Sequence, residues 1–274
     1  MWSRISFGRA SIFSLCSAGS LFRVYCSEST PSMAQCMTDV SLFAFKIWPL
    51  FYTAFLIEFL YFHVKHRPPS TSQTLAELFF VQNYFQGFMQ VTWSLGIEEQ
   101  FYLLVAIILR LLARFNKVNW IVLVCILVMI TTLAFRILNY FSLPQYQPYP
   151  HHYALQLRAD SRAAGVLISW YYHFKHQEFK SWVYTHIELL FFLSAIFLLP
   201  AFIFSYMDPW IFTLGFTSVW LGYSGIVVLL IFLPGTKPFW SAVFNKNKFM
   251  LAIAWVGFYS YAIYLFHSFV GPGL

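Results

Sequence analysis

Apolar residues run along this chain in long blocks separated by short polar clusters, and the blocks have the length of helices that cross a bilayer. A helix needs about 20 apolar residues to span roughly 30 Å of hydrocarbon. Eight stretches come near that length: 41–62, 75–91, 93–113, 119–141, 160–174, 184–206, 209–233 and 249–270. None alternates apolar and polar residues with a period of two, which argues against a β-barrel. The pattern predicts an all-α fold, a polytopic transmembrane helical bundle of about seven to eight membrane segments. Two stretches are weak. The one at 75–91 carries Gln82, Asn83, Gln86 and Gln90, and the one at 160–174 is short and opens with Asp160 and Arg162. Pro200 predicts a kink within 184–206, and Asp208-Pro209 a tight turn before the next helix. Residues 142–153 form a Pro/Tyr-rich loop holding His151 and His152.

Composition agrees with this class. Charged residues make up 10% of the chain and hydrophobic residues 59%, whereas a soluble domain carries about 25% charged residues. The chain therefore reads as an integral membrane protein with lipid as its first partner. A net charge of +7 would suggest nucleic acid in a soluble chain; here Lys and Arg belong in cytoplasmic loops facing anionic lipid, and no nucleic-acid partner is expected. If 75–91 spans, the basic residues fall on both sides. If it is re-entrant, Lys46 and the loops 110–118, 175–182 and 235–248 share the cytoplasmic face, and only Lys65, Arg67 and Arg158 lie opposite. The re-entrant arrangement is preferred. Cys16, Cys26, Cys36 and Cys125 show neither CxxC nor Cys/His spacing, so no metal site or disulfide framework is expected. Residues 1–40 hold Arg4, Arg9, Arg23 and many serines, with no acid before Glu28. This composition is like that of a transit peptide. They are read as a poorly structured leader, the product of a truncation or shifted start, ahead of a membrane domain over 41–274.

The chemistry concentrates at residues 91–102, Val-Thr-Trp-Ser-Leu-Gly-Ile-Glu-Glu-Gln-Phe-Tyr, which open a membrane-length apolar run. A carboxylate inside a bilayer segment costs roughly 2.5–3.5 kcal/mol on insertion scales, so Glu98 and Glu99 mark a functional position. Ser94, Glu98 and Tyr102 recur every four residues and share one helix face. Trp93 stands where an interfacial anchor would go. The plain alternative is an ordinary helix start with a Trp anchor and a capping Ser.

The string Trp93-Ser94-Leu95-x-x-Glu98-x-x-Phe101-Tyr102 resembles the WSLxxExxFY signature of the acyltransferase 3 family, the membrane-bound O-acyltransferases of the O-antigen and peptidoglycan O-acetyltransferase group. Residues 42–51 are similar to the family's R-R-x-x-R-I-x-P-L-Y segment: Ile47, Pro49 and Leu50 fit, Lys46 and Phe51 nearly fit, and Leu42 and Phe43 replace the paired arginines. Arg158, Asp160 and Gly165 fit the family's R-x-D-x-x-x-x-G. On a regular helix Arg158 and Asp160 diverge by about 200°, which suits them to different partners or to a distorted helix start. Gly257, Ser260, Tyr261, Tyr264, Leu265 and His267 fit G-x-x-S-Y-x-x-Y-L-x-H, with Ser260, Tyr264 and His267 on one stripe.

The resemblance implies transfer of an acyl group, chiefly acetyl, from acyl-CoA (acetyl-CoA as donor substrate) to a hydroxyl of an extracytoplasmic carbohydrate, in the bacterial cytoplasmic (inner) membrane, with no bound cofactor and no metal. It gives catalytic positions to Glu98, Ser94 and His267, and substrate contacts to Lys46, Trp93, Tyr102, Arg158, Asp160, Ser260 and Tyr264. The family has two preceding helices, the first ending in a histidine taken as catalytic base, and the chain as numbered has no room for them. A truncated chain, inactive by itself, is the expectation. Two further readings stand beside this one. In a multi-pass solute transporter Glu98, Glu99, Asp160 and Arg136 would be ion or substrate ligands; inverted repeats would favour it, and none is visible. In a catalytically dead scaffold the motifs would be relics.

Overall fold

The computed structural model describes residues 33–89, 92–143, 145, 147, 149–205, 207–235, 252, 255–257 and 259–266, with side chains from residue 47 except at 149 and 150. Every regular element among them is helical. In chain order α1 is Met33–Val64, α2 Thr71–Leu78, α3 Trp93–Arg114, α4 Ile121–Ser142, α5 Ala159–Phe174, α6 His176–Thr185, α7 Ile187–Ile203, α8 Phe216–Phe232 and α9 Ser260–Phe266. The chain is an all-α membrane protein. It divides into two compact units, a larger one over Glu98–Leu233 and a smaller one over Ser32–Ile97 with Pro234–Leu274.

Three stretches among the described residues are long and apolar enough to cross a membrane: Ile47–Val64, Val118–Ser142 and Ile211–Gly235. α6 and α7 make a fourth if their 79° bend lies within one span. Of the other stretches picked out by hydropathy, α3 has the length but carries Glu98, Glu99, Arg110 and Arg114. α5 has 16 residues, about 24 Å at 1.5 Å per residue. Residues 249–270 lie mostly outside the described residues. The stretch at 75–91 forms no spanning helix: α2 stops at Leu78, and turns follow from Phe79.

That stop has a local cause. Val81 N–H bonds Ala76 O at 2.9 Å and Phe80 N–H bonds Glu77 O at 3.1 Å, while Phe80 adopts φ 55°. This is the double bond of a Schellman motif with its left-handed residue just past the helix end. α1 ends the same way at His66 (φ 55°), and α3 at Asn116 (φ 54°). A bulky residue in this backbone region is strained. Phe80 is held there by packing, with its ring 4.5 Å from that of Phe51 in the core of the smaller unit. Ala54, Met89, Leu95 and Leu265 complete that core. Tyr261 of α9 donates to Ile47 O of α1 at 3.3 Å.

Gly96, in the first turn of α3, closes the smaller unit. A Cβ there would lie 2.9 Å from Phe80 O and 3.2 Å from the side-chain oxygens of Gln82 and Asn83. The nearest atom is backbone and cannot yield cheaply. Gly96→Ala should therefore destabilise the protein by about 1–3 kcal/mol, the usual cost of overpacking. Thermal unfolding in detergent would measure it, and an unchanged midpoint would contradict the packing described.

The larger unit is built on α4, α5 and α8. α4 buries Ile121, Cys125, Thr132 and Arg136, a stripe at helical spacing. It turns Leu123, Leu127, Ile130 and Leu138 outward, a face suited to hydrocarbon. α5 is buried nearly all round through its first two turns, from Asp160 to Val166. α7 and α8 pack closely because Gly222 and Gly225 leave room: a Cβ on Gly222 would lie 2.7 Å from Leu198 Cγ, and one on Gly225 would strike the Ser194 hydroxyl. Small residues serve membrane helix pairs in this way. Ser218 Oγ donates to Phe197 O at 2.7 Å across the same contact. Asp208 starts the next helical stretch, its carboxylate accepting from Trp210 N–H at 2.9 Å.

Candidate functional site

In the larger unit the site residues gather at the first turn of α5. Arg158 and Asp160 take different partners, Arg158 from the non-helical position just ahead of α5 and Asp160 from its first turn. Asp160 Oδ2 accepts from Arg136 Nη2 of α4 and from Trp220 Nε1 of α8 at 2.6 Å. Its Oδ1 accepts from Ser161 N–H at 2.9 Å. Three helices are therefore tied together by one carboxylate. Arg158 lies just ahead of α5, where its Nε donates to His152 O at 3.2 Å. Its guanidinium rests against the His152 ring and sits 3.9 Å from the centre of the Phe216 ring, a cation–π geometry.

Arg162, one turn on, is anchored by donation from Nη1 to Arg158 O at 3.0 Å. Its Nη2 stands 3.8 Å from Glu98 Oε1, with both side chains buried. This is an ion pair too long to be a hydrogen bond. Glu98 is 6% exposed and Tyr102, one turn further along α3, is likewise 6% exposed. The face predicted from four-residue spacing is thus an inward one. His152 is buried too, and burial together with the neighbouring Arg158 guanidinium holds its imidazole well below the ordinary value. At neutral pH it is an uncharged ring. His151 Nε2 lies 2.8 Å from Leu143 O and can donate to it, and Nδ1 lies 3.1 Å from Gln147 O, so His151 braces the loop.

In the smaller unit Ser94 Oγ and Tyr264 OH are hydrogen-bonded at 2.5 Å, joining positions 170 residues apart. Ser94 is buried, and Trp93 beside it is half-buried. Ser260 takes a different partner, its hydroxyl donating to Gly257 O at 2.6 Å. His267 lies outside the described residues, and so does the side chain of Lys46, whose backbone belongs to α1. A second polar knot surrounds Glu77. The Thr92 hydroxyl lies 2.8 and 3.0 Å from its two carboxyl oxygens, and Met89 N–H donates to it at 3.1 Å. Gln82 Nε2 donates to Thr92 O at 2.8 Å. Gly87 is required here because a Cβ would run into the Glu77 carboxyl.

The family model described as an acyltransferase domain, that of the acyltransferase 3 family, matches residues 9–272. The chain belongs to the acyltransferase 3 family. Comparison with curated proteins and with solved structures found no match. The family match starts at residue 9, whereas the motifs recognised in the sequence start at residue 42. Within the acyltransferase motifs, the structure joins Ser94 to Tyr264 in one unit, and in the other it binds Asp160 to Arg136 and leaves Arg158 on Phe216. Arg162 and Trp220 belong to no motif recognised in the sequence, yet they hold Glu98 and Asp160. A signal for Arg162 existed in its place four residues after Arg158, on the same helix face. Trp220, in an apolar run, gave none.

Proposed function

We propose that the chain is a membrane acyltransferase that transfers an acyl group, acetyl in the first place, from acyl-CoA to a hydroxyl of an extracytoplasmic carbohydrate, as a multi-pass protein of the bacterial inner membrane. The observation that carries this reading is a buried carboxylate, Glu98, set 3.8 Å from a guanidinium inside the motif that marks the family. In the reaction the acceptor oxygen attacks the thioester carbonyl, its proton passes to a base, and the C–S bond breaks to release the CoA thiol. A positioned base contributes about 10²–10⁴-fold to such a step. Glu98 is the group assigned to proton handling. Ser94 and Tyr264, a hydroxyl pair, are assigned to the motif's second contribution, with His267, Lys46, Trp93, Tyr102, Arg158, Asp160 and Ser260 as the remaining site residues.

The test is transfer of label from acetyl-CoA to cell-envelope carbohydrate in membranes carrying the chain, with Glu98→Gln as the control. Label in a base-labile ester on carbohydrate, lost in the control, is expected. Absence of label with the unaltered chain would overturn the reading. Topology has its own check. Reporter fusions at residues 115, 178 and 245 should all report the cytoplasmic side, because the basic loops gather there. A split result would end the arrangement proposed.

A further inference from the structure

Glu77 of α2 is fully buried in the smaller unit, and among the described residues no cation stands within ion-pair distance of it. The charged group that bears on it from a packed element is another carboxyl, Glu58 of α1, itself buried. Its hydrogen bonds do not close if it is ionised. The Thr92 hydroxyl has one proton and lies 2.8 Å from Glu77 Oε2, 3.0 Å from Oε1 and 3.0 Å from Met89 O. A carboxylate can only accept, so Glu77 and Met89 O would compete for that proton. With a proton on Oε2 every member is served. Glu77 Oε2–H donates to Thr92 Oγ, Thr92 Oγ–H donates to Met89 O, and Met89 N–H donates to Glu77 Oε1 at 3.1 Å. Burial agrees: it pushes the carboxyl up to about 8, the bonds from Thr92 and Met89 pull against it, and Glu58 adds to the rise. The ring ends on the residue that starts α3. Thr92 O accepts from Leu95 N–H at 2.9 Å, Gly96 N–H at 3.2 Å and Gln82 Nε2 at 2.8 Å. An N-cap threonine ordinarily turns its hydroxyl to an N–H of the first turn, whereas this one turns to Glu77 and Met89. Two residues on, Ser94 Oγ meets Tyr264 OH.

We propose that Glu77 is a positioning residue for the Trp93-Ser94-Leu95 motif: as a carboxylic acid it closes a ring with Thr92 and Met89 that sets the start of α3 and brings Ser94 to Tyr264. The inference rests on the reading of Ser94 and Tyr264 as site residues. It makes their contact depend on pH. Below about 8 the acid keeps the ring closed. Above that, the carboxylate takes the Thr92 proton, Met89 O loses this donor, and a charge is buried beside Glu58. The value in the fold lies above the ordinary 4.5, so the folded chain holds the proton more tightly than the unfolded one. The stability this contributes is lost as pH rises from about 4.5 to about 8. Glu77→Gln reproduces the acid form, with Nε2 donating where Oε2–H did.

The test begins with infrared difference spectra of the purified full chain in non-ionic detergent, wild type minus Glu77→Gln. The C=O stretch of a protonated carboxyl is expected at pH 7, with most of it gone by pH 9. A double-mutant cycle of Ser94→Ala and Tyr264→Phe on the unfolding midpoint then reads the contact itself. In the wild-type background the coupling should be present at pH 7 and fall about threefold or more by pH 9. In the Glu77→Gln background it should persist at both. Thr92→Val, which breaks the ring and leaves Glu77 in place, should abolish the coupling already at pH 7. A missing carboxyl band at pH 7 would make Glu77 an ordinary carboxylate and end the proposal. Equal wild-type coupling at pH 7 and pH 9 would also overturn it, as would a Glu77→Gln that fails to fold or lacks the coupling at pH 7. Neither readout involves acyl transfer, so their failure is separable from failure of the reaction proposed above.

Discussion

Arg136→Leu should unfold the larger unit or nearly so. The substitution removes the cation from a carboxylate that is itself 2% exposed and sits among three helices. Breaking a buried pair by deleting one partner costs about 3–5 kcal/mol because an uncompensated charge is left behind. Total stabilities are only about 5–15 kcal/mol, so the loss takes a large share of what holds the fold. Trp220 Nε1 and Ser161 N–H would still reach Asp160, but neither carries a charge. Asp160→Leu should cost a similar amount, since it strands Arg136 and removes the acceptor from Trp220. The double variant Arg136→Leu/Asp160→Leu should recover part of the loss, because no buried charge remains. Recovery should be incomplete, as Trp220 Nε1 still lacks an acceptor, at about 1–3 kcal/mol for a buried unsatisfied donor. A double-mutant cycle on the unfolding midpoints gives the coupling directly. Midpoints of both single variants within 2 °C of the wild type, on the order of a surface substitution's effect, would show that this pair does not hold the helices.

These helices were visible in the sequence to different degrees. The inward face of Ser94, Glu98 and Tyr102 followed from four-residue spacing, and all three are buried. Arg158 and Asp160 do take separate partners, but through the distorted helix start that the sequence left open, since Arg158 lies just outside α5 and the angle of about 200° on a regular helix does not apply. What lay hidden is what depends on other helices. Nothing around Trp220 marks it as the donor to a carboxylate 60 residues earlier. The end of α2 was equally concealed. Turn chemistry usually shows itself through Gly or Asn, but here a Phe takes the left-handed position, paid for by the Phe51 contact. The 79° break between α6 and α7 falls at His186, with neither Pro nor Gly to announce it. Pro200, which does announce a break, sits near the end of α7, where the helix stops three residues later at Ile203. Local periodicity was legible; tertiary override of local signals was not.

Glu98→Gln should reduce acyl transfer about 10²–10⁴-fold, the usual contribution of a positioned acid or base. The two side chains have nearly the same volume, so the buried position should stay filled and α3 should stay helical. What changes is the charge and the ability to take a proton. Gln can still accept a hydrogen bond through its carbonyl, but it cannot act as a base at any pH used in an assay. Arg162 would lose its anion, yet its Nη1 bond to Arg158 O remains, so the guanidinium should keep its place. The loss should therefore fall on kcat, with KM for acyl-CoA little changed, as expected when an interaction made only in the transition state is removed. A large rise in KM with kcat preserved would instead make Glu98 a binding group. Thermal unfolding of the same variant separates either outcome from collapse of the fold. If Glu98→Gln keeps more than about a tenth of the wild-type rate with an unchanged midpoint, the carboxylate does not handle the proton. The buried ion pair with Arg162 would then be a structural device that fastens α3 to α5.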